Sequence, residues 1–473
     1  MPLTTPRVWR RAAPLLLVVV IDGLRAASVT ETAMPVLAAV ADAGVSYASA
    51  ASLVPSLTRP AAAALTTGYL PRTTGIVANT VAWPGHGIID TGSVGALRRA
   101  LAGEPVPLGA PGIAERFARS GIRCAVISTG SAGCGFILDP VSAPGRAAAA
   151  AGGRVHDPAG PRPAVGRDPA STGRVAWACD TAIALARADA IDAALIWLHQ
   201  PDDAQHAFGP EAPETAAVLR QVDKNIGLLL TELGAAGQAV NVIVTADHGA
   251  TSALGRVDVA GDFQRALPQV ASLLTVCNND GAVLAWSGRR QSVPALAEFA
   301  EWCLAQPWSG PVFARPSLDI PGTFSTRLIG CDHERLGPDV LITMRAESAT
   351  ARQAAAAWYA ADAGDAIKGT HGTISPADLH IPLIMHGPAF RRRLVAGSPA
   401  TLTDITATML HLAGLTSSAD GRVLYEALAE TEGQPLVSRY YLVPGRQRRP
   451  DLLTCATVAG HHYILAGQRE AAS

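Results

Sequence analysis

Short apolar runs alternate with helix-patterned stretches through the first half of the chain. That alternation limits the fold more than any other feature. Leu15–Ile21, Arg123–Ser128, Ala193–Leu198 and Val240–Thr245 are largely apolar on consecutive positions. A strand that is apolar on both faces must be covered on both faces. Between these runs, Met34–Asp42, Ile113–Arg119, Arg174–Arg187 and Thr215–Leu233 read as helices, and Gly44 and Gly121 end two of them. The pattern predicts an α/β fold with a large, mostly parallel central sheet flanked by helices. Such sheets gather their chemistry at the carboxyl ends of the strands.

Two segments break the rhythm. Residues 142–172 are rich in Ala, Gly, Pro and Arg without periodicity, which predicts a surface loop. Residues 253–365 carry their own short strands and a helix at Pro294–Leu304, which predicts an inserted, smaller α+β cap domain. The catalytic core is thus expected in two parts, 1–252 and 366–473. Its second part resumes near His371, with a strand at Ile381–Met385, a helix at Asp404–Leu412 and a closing hairpin around Leu453–Leu465. A chain of 473 residues has room for this, at roughly 150 residues per domain.

Charge excludes some partners. The formal net charge is −1, which argues against a nucleic-acid polymer or an acidic membrane surface as partner. The seven cysteines are scattered and contain no CxxC pair, so reduced thiols and a cytoplasmic setting are expected. Arg7, Arg10 and Arg11 before the apolar run Ala12–Ile21 look like the start of a secretion signal. The run ends directly in Asp22-Gly23, with no small-residue cleavage site, so it reads instead as a buried strand. It is also shorter than the ~20 residues that span a bilayer.

Three carboxylates follow apolar strands: Asp22 in Val-Ile-Asp-Gly, Asp202 in Pro-Asp-Asp, and Asp247 in Ala-Asp-His-Gly. Each alone reads as an ordinary turn or helix cap. Together they are expected to converge on one sheet edge. Asp202 and His206 are four apart and share a helix face; His248 adjoins Asp247; His371 lies past the insertion in Thr-His-Gly. Such Asp/His sets suit zinc or manganese. Thr58 precedes Arg59-Pro60 and an Ala run, so it is expected to cap a helix. A hydroxyl there is either a plain cap or a nucleophile at the positive end of a helix, where a phosphate is favoured.

In this order, these residues resemble the alkaline phosphatase superfamily, in particular its type I phosphodiesterase/nucleotide pyrophosphatase branch and the related phosphonoacetate hydrolases. The resemblance rests on Ile-Asp-Gly at 21–23, Thr58 through Thr67-Gly68, Gly75 to Asn79, Pro-Asp-x-x-x-His at 201–206, Ala-Asp-His-Gly at 246–249, Thr-His-Gly at 370–372 and the stretch from Thr403 to Arg422. It implies two divalent metal ions, usually zinc. Asp202, His206 and His371 would hold one ion; Asp22, Asp247, His248 and the Thr58 oxygen would hold the other. It also implies a phospho-threonine intermediate on Thr58, and Asn79 as donor to a non-bridging phosphoryl oxygen. A formylglycine sulfatase fits less well, because Thr58 and Ala62 stand where that branch has a modified Cys or Ser and an Arg. Arg59 follows the nucleophile, where relatives carry an aromatic or apolar residue. It could hold a second phosphoryl charge, stack on a base or face solvent. Trp197 matches a position that is aromatic in some nucleotide-cleaving relatives; it either stacks on a base or aryl group or belongs to the core. The expected activity is hydrolysis of a phosphodiester or phosphoanhydride bond in a small phosphorylated substrate. A phosphonate hydrolase, a phosphomonoesterase and a silent phosphoester binder are the alternatives.

Overall fold

Leu15–Ile21 (β1) is nowhere more than 1% exposed. It lies in the middle of an eight-stranded sheet whose other strands are Val45–Ala51 (β2), Cys124–Ser128 (β3), Arg154–His156 (β4), Ala193–Leu198 (β5), Val240–Thr245 (β6), Leu383–His386 (β7) and Leu394–Thr401 (β8), in the order β8-β2-β7-β6-β1-β5-β3-β4. The described part of the apolar run, from Leu15 on, is therefore a central strand. The computed structural model describes residues 14–104, 106–141, 154–156, 170–288, 293–347, 355–361, 366–416, 419–444 and 451–469. Most of the expected 142–172 loop falls outside them. Within it, Arg154–His156 pairs in parallel with Val126–Ser128; backbone pairing at a sheet edge needs no apolar period in the side chains.

β1 pairs in parallel with β5 and β6, β3 pairs in parallel with β5, and β8 with β2. The exception is β7, antiparallel to both β6 and β2. The reason is the insertion. The chain leaves the sheet after Thr245 and re-enters from the same edge, so Leu383 sits opposite Thr245 and the segment before β7 lies at the carboxyl ends of the parallel strands. His371 lies in that returning segment, directly after Gly369–Thr370.

Helices 35–43, 173–187 and 213–235 pack together, and helices 58–67, 94–100, 113–119, 132–138 and 402–412 form a second set. Both sets contact β3, so both faces of the sheet are covered. Among the described residues, no helix is long and apolar enough to cross a membrane.

The inserted region forms a five-stranded sheet from Leu274–Asn279, Ala282–Ser287, Val340–Met344, Ser309–Ala314 and Phe324–Ser325, with the helix Val293–Leu304 on one face. Phe263, Phe299, Trp308 and Ile342 fill that face. The other face packs Leu284 and Phe313 against Val54, Leu57 and Val77 of the core and Leu453 and Ile464 of the tail. A strand at Thr251–Val257 starts before residue 253 and pairs with Gly369–Thr370, so pairing bridges both ends of the insertion. The tail is a three-stranded antiparallel sheet, Val437–Leu442, Asp451–Val458 and His461–Arg469, which contains the expected hairpin.

Candidate active site

Each strand end contributes one piece. β1 ends in Asp22, and the chain turns at Gly23, whose φ is +76°. A Cβ there would come within 2.8 Å of Gln205 Nε2 and 3.1 Å of Asp202 Cβ, so glycine lets the β1 turn approach the Asp202 helix. That helix runs Asp202–Phe208, just after β5. Asp247 and His248 follow β6 and are fully buried. The ends are laced together: Gly23 N–H and His248 N–H both donate to Asp247 Oδ1 at 3.0 Å, and Asp202 N–H donates to the Asp22 carbonyl at 3.1 Å.

Thr58 opens the helix Thr58–Thr67, of which only Arg59 is not buried. The N-cap is Leu57, whose carbonyl accepts Ala61 N–H at 3.2 Å. The expected cap position is therefore off by one residue, and the Thr58 hydroxyl makes no capping bond. It lies instead 3.2 Å from His248 Nε2. Arg59 N–H donates to Asn79 Oδ1 at 3.2 Å, and Pro60 has no N–H to offer. Thr58 N–H has no hydrogen-bond partner among the described residues, so it remains free at the positive end of the helix.

The three histidines share one arrangement. Nδ1 of His248 faces the Gly249 carbonyl at 2.8 Å, that of His371 faces the Ser56 carbonyl at 3.0 Å, and that of His206 faces the Gly369 carbonyl at 3.0 Å. A carbonyl only accepts, so each Nδ1 carries the hydrogen and each Nε2 turns inward. The His248 and His371 rings stack at 3.7 Å, and His206 lies 5.1 Å from His371. His248 Nε2 is 3.2 Å from Asp247 Oδ2 and 3.5 Å from Asp22 Oδ1; His206 Nε2 is 3.4 Å from Asp202 Oδ2; His371 Nε2 is 3.9 Å from Asp202 Oδ1.

Three carboxylate oxygens in this cluster, Asp22 Oδ1, Asp202 Oδ1 and Asp247 Oδ2, are buried without a hydrogen-bond partner. Such an acceptor costs about 1–3 kcal/mol unless something satisfies it. Cations satisfy it, and the donor set fits them. Asp22, Asp247 and His248 converge closely enough to hold one ion, and Asp202, His248 and His371 a second. The expected second set had His206 in place of His248; in the structure His206 stands beside it on Asp202.

The charges follow from burial. Burial raises the Asp22 carboxyl well above its usual range, and the carboxylates of Asp247 and Asp202 push it further. Burial raises Asp247 too. Burial also opposes ionisation of Asp202, but the His206, His371 and His248 rings together hold that carboxyl far below its usual range. For His206, burial lowers and Asp202 raises; the net result is a rise to about 10. His371 is depressed, first by burial and then by His248.

A sequence model of the type I phosphodiesterase/nucleotide pyrophosphatase family matches residues 16–298. The chain belongs to that family, a branch of the alkaline phosphatase superfamily. The bis(5'-adenosyl)-triphosphatase of Xenopus laevis is 44% identical over 64 residues, 13% of this chain and 14% of that protein. Human family member 7 is 34% identical over 86 residues, 18% of each chain. Human family member 5 is 24% identical over 238 residues, 48% of this chain and 43% of that one. The matches thus span less than half the length of these curated relatives. The fold extends further. Murine ectonucleotide pyrophosphatase/phosphodiesterase 5 superposes with a TM-score of 0.63 at 20% identity, covering 88% of this chain and all of that one. The human protein gives 0.65 at 19% identity with the same coverage. An inactive variant of the murine protein in complex with AMP gives 0.64, also at 19% identity and with the same coverage.

Two side chains expected at the substrate part ways. Trp197 is fully buried in β5, and its Nε1–H donates to Asp22 Oδ2 at 3.0 Å. It cannot stack on a base from there. This corrects the stacking reading: the strand is covered on both faces, so its aromatic residue supports a carboxylate from within the core. Arg59 is half-buried beside Thr58. Its Nη2 lies 3.4 Å from Ser131 Oγ, and its Nε is buried without a partner.

Other residues that hold the site carried no motif. Ser56 offers its carbonyl to His371, and its hydroxyl accepts Gly372 N–H at 3.1 Å and donates to the Thr373 carbonyl at 2.8 Å. Asn279-Asp280-Gly281, in the insertion, is a hairpin tip between Leu274–Asn279 and Ala282–Ser287. The Asp-Gly pair between apolar runs is a legible turn signal. Nothing in the sequence says that the tip lies against the His371 loop.

Proposed function

We propose that the chain is a metal-dependent hydrolase of phosphodiester or phosphoanhydride bonds, working through a phospho-threonine at Thr58. The observation that carries this is the Thr58 hydroxyl, spared from capping, at the edge of a buried Asp/His cluster with three unpartnered carboxylate oxygens. Asp22, Asp247, His248 and Thr58 Oγ1 would hold one divalent ion, and Asp202, His206 and His371 the other; zinc and manganese both suit these donors. Such ions supply Lewis acidity that lowers the threonine pKa and offsets charge on the leaving oxygen.

The chain's own groups do the rest. Thr58 Oγ, its proton lost to solvent, attacks phosphorus in line with the leaving group; the phosphorus–oxygen bond breaks, the leaving oxygen takes the bonding pair and a proton from water, and a second water then cleaves the phospho-threonine to regenerate Thr58 and release the phosphoryl product. Asn79 and the free Thr58 N–H donate to the non-bridging oxygens, where one such donor is worth about 3 kcal/mol. Arg59, with its Nε unpartnered beside the nucleophile, is suited to a second negative charge or a base face on the substrate. The AMP complex of the murine relative supports a small nucleotide-like substrate. The seven buried thiols support a cytoplasmic setting.

The test is the ratio of initial rates on an aryl phosphodiester and the matching aryl monoester, with zinc present. A ratio well above one is expected. A ratio well below one makes the enzyme a phosphomonoesterase that uses Arg59 to recognise a dianion. Bound metal with no turnover of either ester moves the reading to a phosphonate hydrolase or a silent binder.

A further inference from the structure

The Asn79–Thr80 peptide is held from two sides by different parts of the chain. On one side, the Asn79 carbonyl accepts Thr91 N–H at 2.9 Å and the Thr91 hydroxyl at 2.7 Å. On the other, the inserted hairpin arrives. Thr80 N–H donates to Asn279 Oδ1 at 2.7 Å, and Asn279 Nδ2 donates back to the Thr80 carbonyl at 3.0 Å. Asn279 is 4% exposed, so water does not compete for this two-bond clamp. Two residues on, Gly281 N–H donates to the His371 carbonyl at 2.7 Å. The approach there is so close that a Cβ on Gly281 would lie 2.4 Å from Thr373 N and 2.5 Å from the His371 carbonyl. One hairpin tip therefore touches both the backbone of Asn79–Thr80 and the backbone of a candidate metal ligand.

We propose that Asn279 is a positioning residue for Asn79. It touches neither the candidate metal cluster nor the nucleophile. It fixes the peptide that carries Asn79, whose Oδ1 in turn accepts Arg59 N–H at 3.2 Å. With Oδ1 so engaged, the two Nδ2 hydrogens are left for another acceptor, and their aim depends on where this peptide sits. A donor displaced by about 1 Å can lose ~10²-fold in rate. The inserted region thereby reaches into the chemistry as a brace for an oxyanion donor. The inference rests on the reading of Asn79 as that donor.

The test is a double-mutant cycle on diester turnover with the zinc-loaded, full-length protein. Asn79→Ala should lower kcat by ~10²-fold or more. Asn279→Ala should lower kcat by ~10-fold or more, with KM changed less than about threefold and metal content unchanged. In the Asn79→Ala background, Asn279→Ala should cost less than about twofold, because aiming an absent donor has no effect. If the two losses multiply, Asn279 acts by general stability and the inference is overturned. If Asn79→Ala leaves kcat intact, the reading of Asn79 fails first, and the clamp loses its catalytic meaning with it. Should Asn279→Ala fail to melt cooperatively, the same cycle is run with Asn279→Asp. That variant keeps the shape and the acceptor for Thr80 N–H but sets a carboxylate against the Thr80 carbonyl.

Discussion

The two halves of the candidate metal cluster differ in how they meet solvent. Around Thr58, the side chains of Asp247 and His248 are 0% exposed and Asp22 is 8% exposed. Around Asp202 the cluster opens, with side-chain exposures of 16% for Asp202 and 26% for His206. The closed half is tied by main-chain N–H groups of two strand ends and backed by Trp197. The open half draws Asp202 and His206 from one short helix, Asp202–Phe208, and His371 from a separate buried segment. In the closed half, burial opposes ionisation of Asp22 and Asp247, which only a cation or a proton offsets. In the open half, Asp202 already has His206 as an internal partner. Under the proposed function, the closed half would keep the Thr58 nucleophile dry and the open half would admit the leaving group and water.

The difference can be broken most directly at Thr58. Thr58→Ala should lower turnover of an aryl diester by at least ~10³-fold while metal analysis still finds both ions; retained turnover would move the chemistry out of the closed half. Next in size is metal retention. Asp247→Ala removes the acceptor of two buried N–H groups together with a candidate ligand. It should weaken zinc binding by at least ~10²-fold, and by more than His206→Ala does, as read by competition with a chelator. Equal losses would mean the two halves hold their ions alike.

The pH dependence sharpens the same contrast. In the metal-free protein His206 keeps its proton up to pH about 10, against an ordinary value of 6.5. An ion on His206 must displace that proton, so affinity in the open half should rise about tenfold per pH unit below pH 10. Titration of metal into weakly buffered protein should release it; absence of proton release contradicts the assignment. The same shift stabilises the metal-free fold. Because the folded value is the higher one, the contribution is full below 6.5 and disappears as pH rises through about 10. The smallest effect is expected at Trp197→Phe, which strips Asp22 Oδ2 of the indole N–H donor. It should lower thermal stability by about 1–3 kcal/mol and leave KM for aryl and non-aryl diesters in the same ratio. A selective rise for the aryl substrate would restore the stacking role.

Much of this arrangement is legible in the residues. Apolar runs at 15–21, 193–198 and 240–245 fall on strands with those bounds. The Asp residues behind them meet at one edge because parallel strands end on the same side. The helix at Ile113–Arg119 also matches. The direction of β7 was not legible, since period and composition are the same for a strand run either way. Nor was the core role of Trp197, because an apolar strand does not say which neighbour its aromatic faces.

Local sequence determined which segments become strands and helices, because a two-fold or 3.6-fold apolar period and a glycine stop act within a few residues. It also determined the chemistry on offer: three aspartates, three histidines and a threonine ahead of a helix. Tertiary structure alone decided that the chain returns antiparallel to bring His371 to the edge, that Leu57 and not Thr58 caps the helix, and that a hairpin some 200 residues along holds the Asn79–Thr80 peptide through Asn279. Those contacts join positions far apart in the chain, and their free energy exists only once the sheet, the helix and the insertion have packed together.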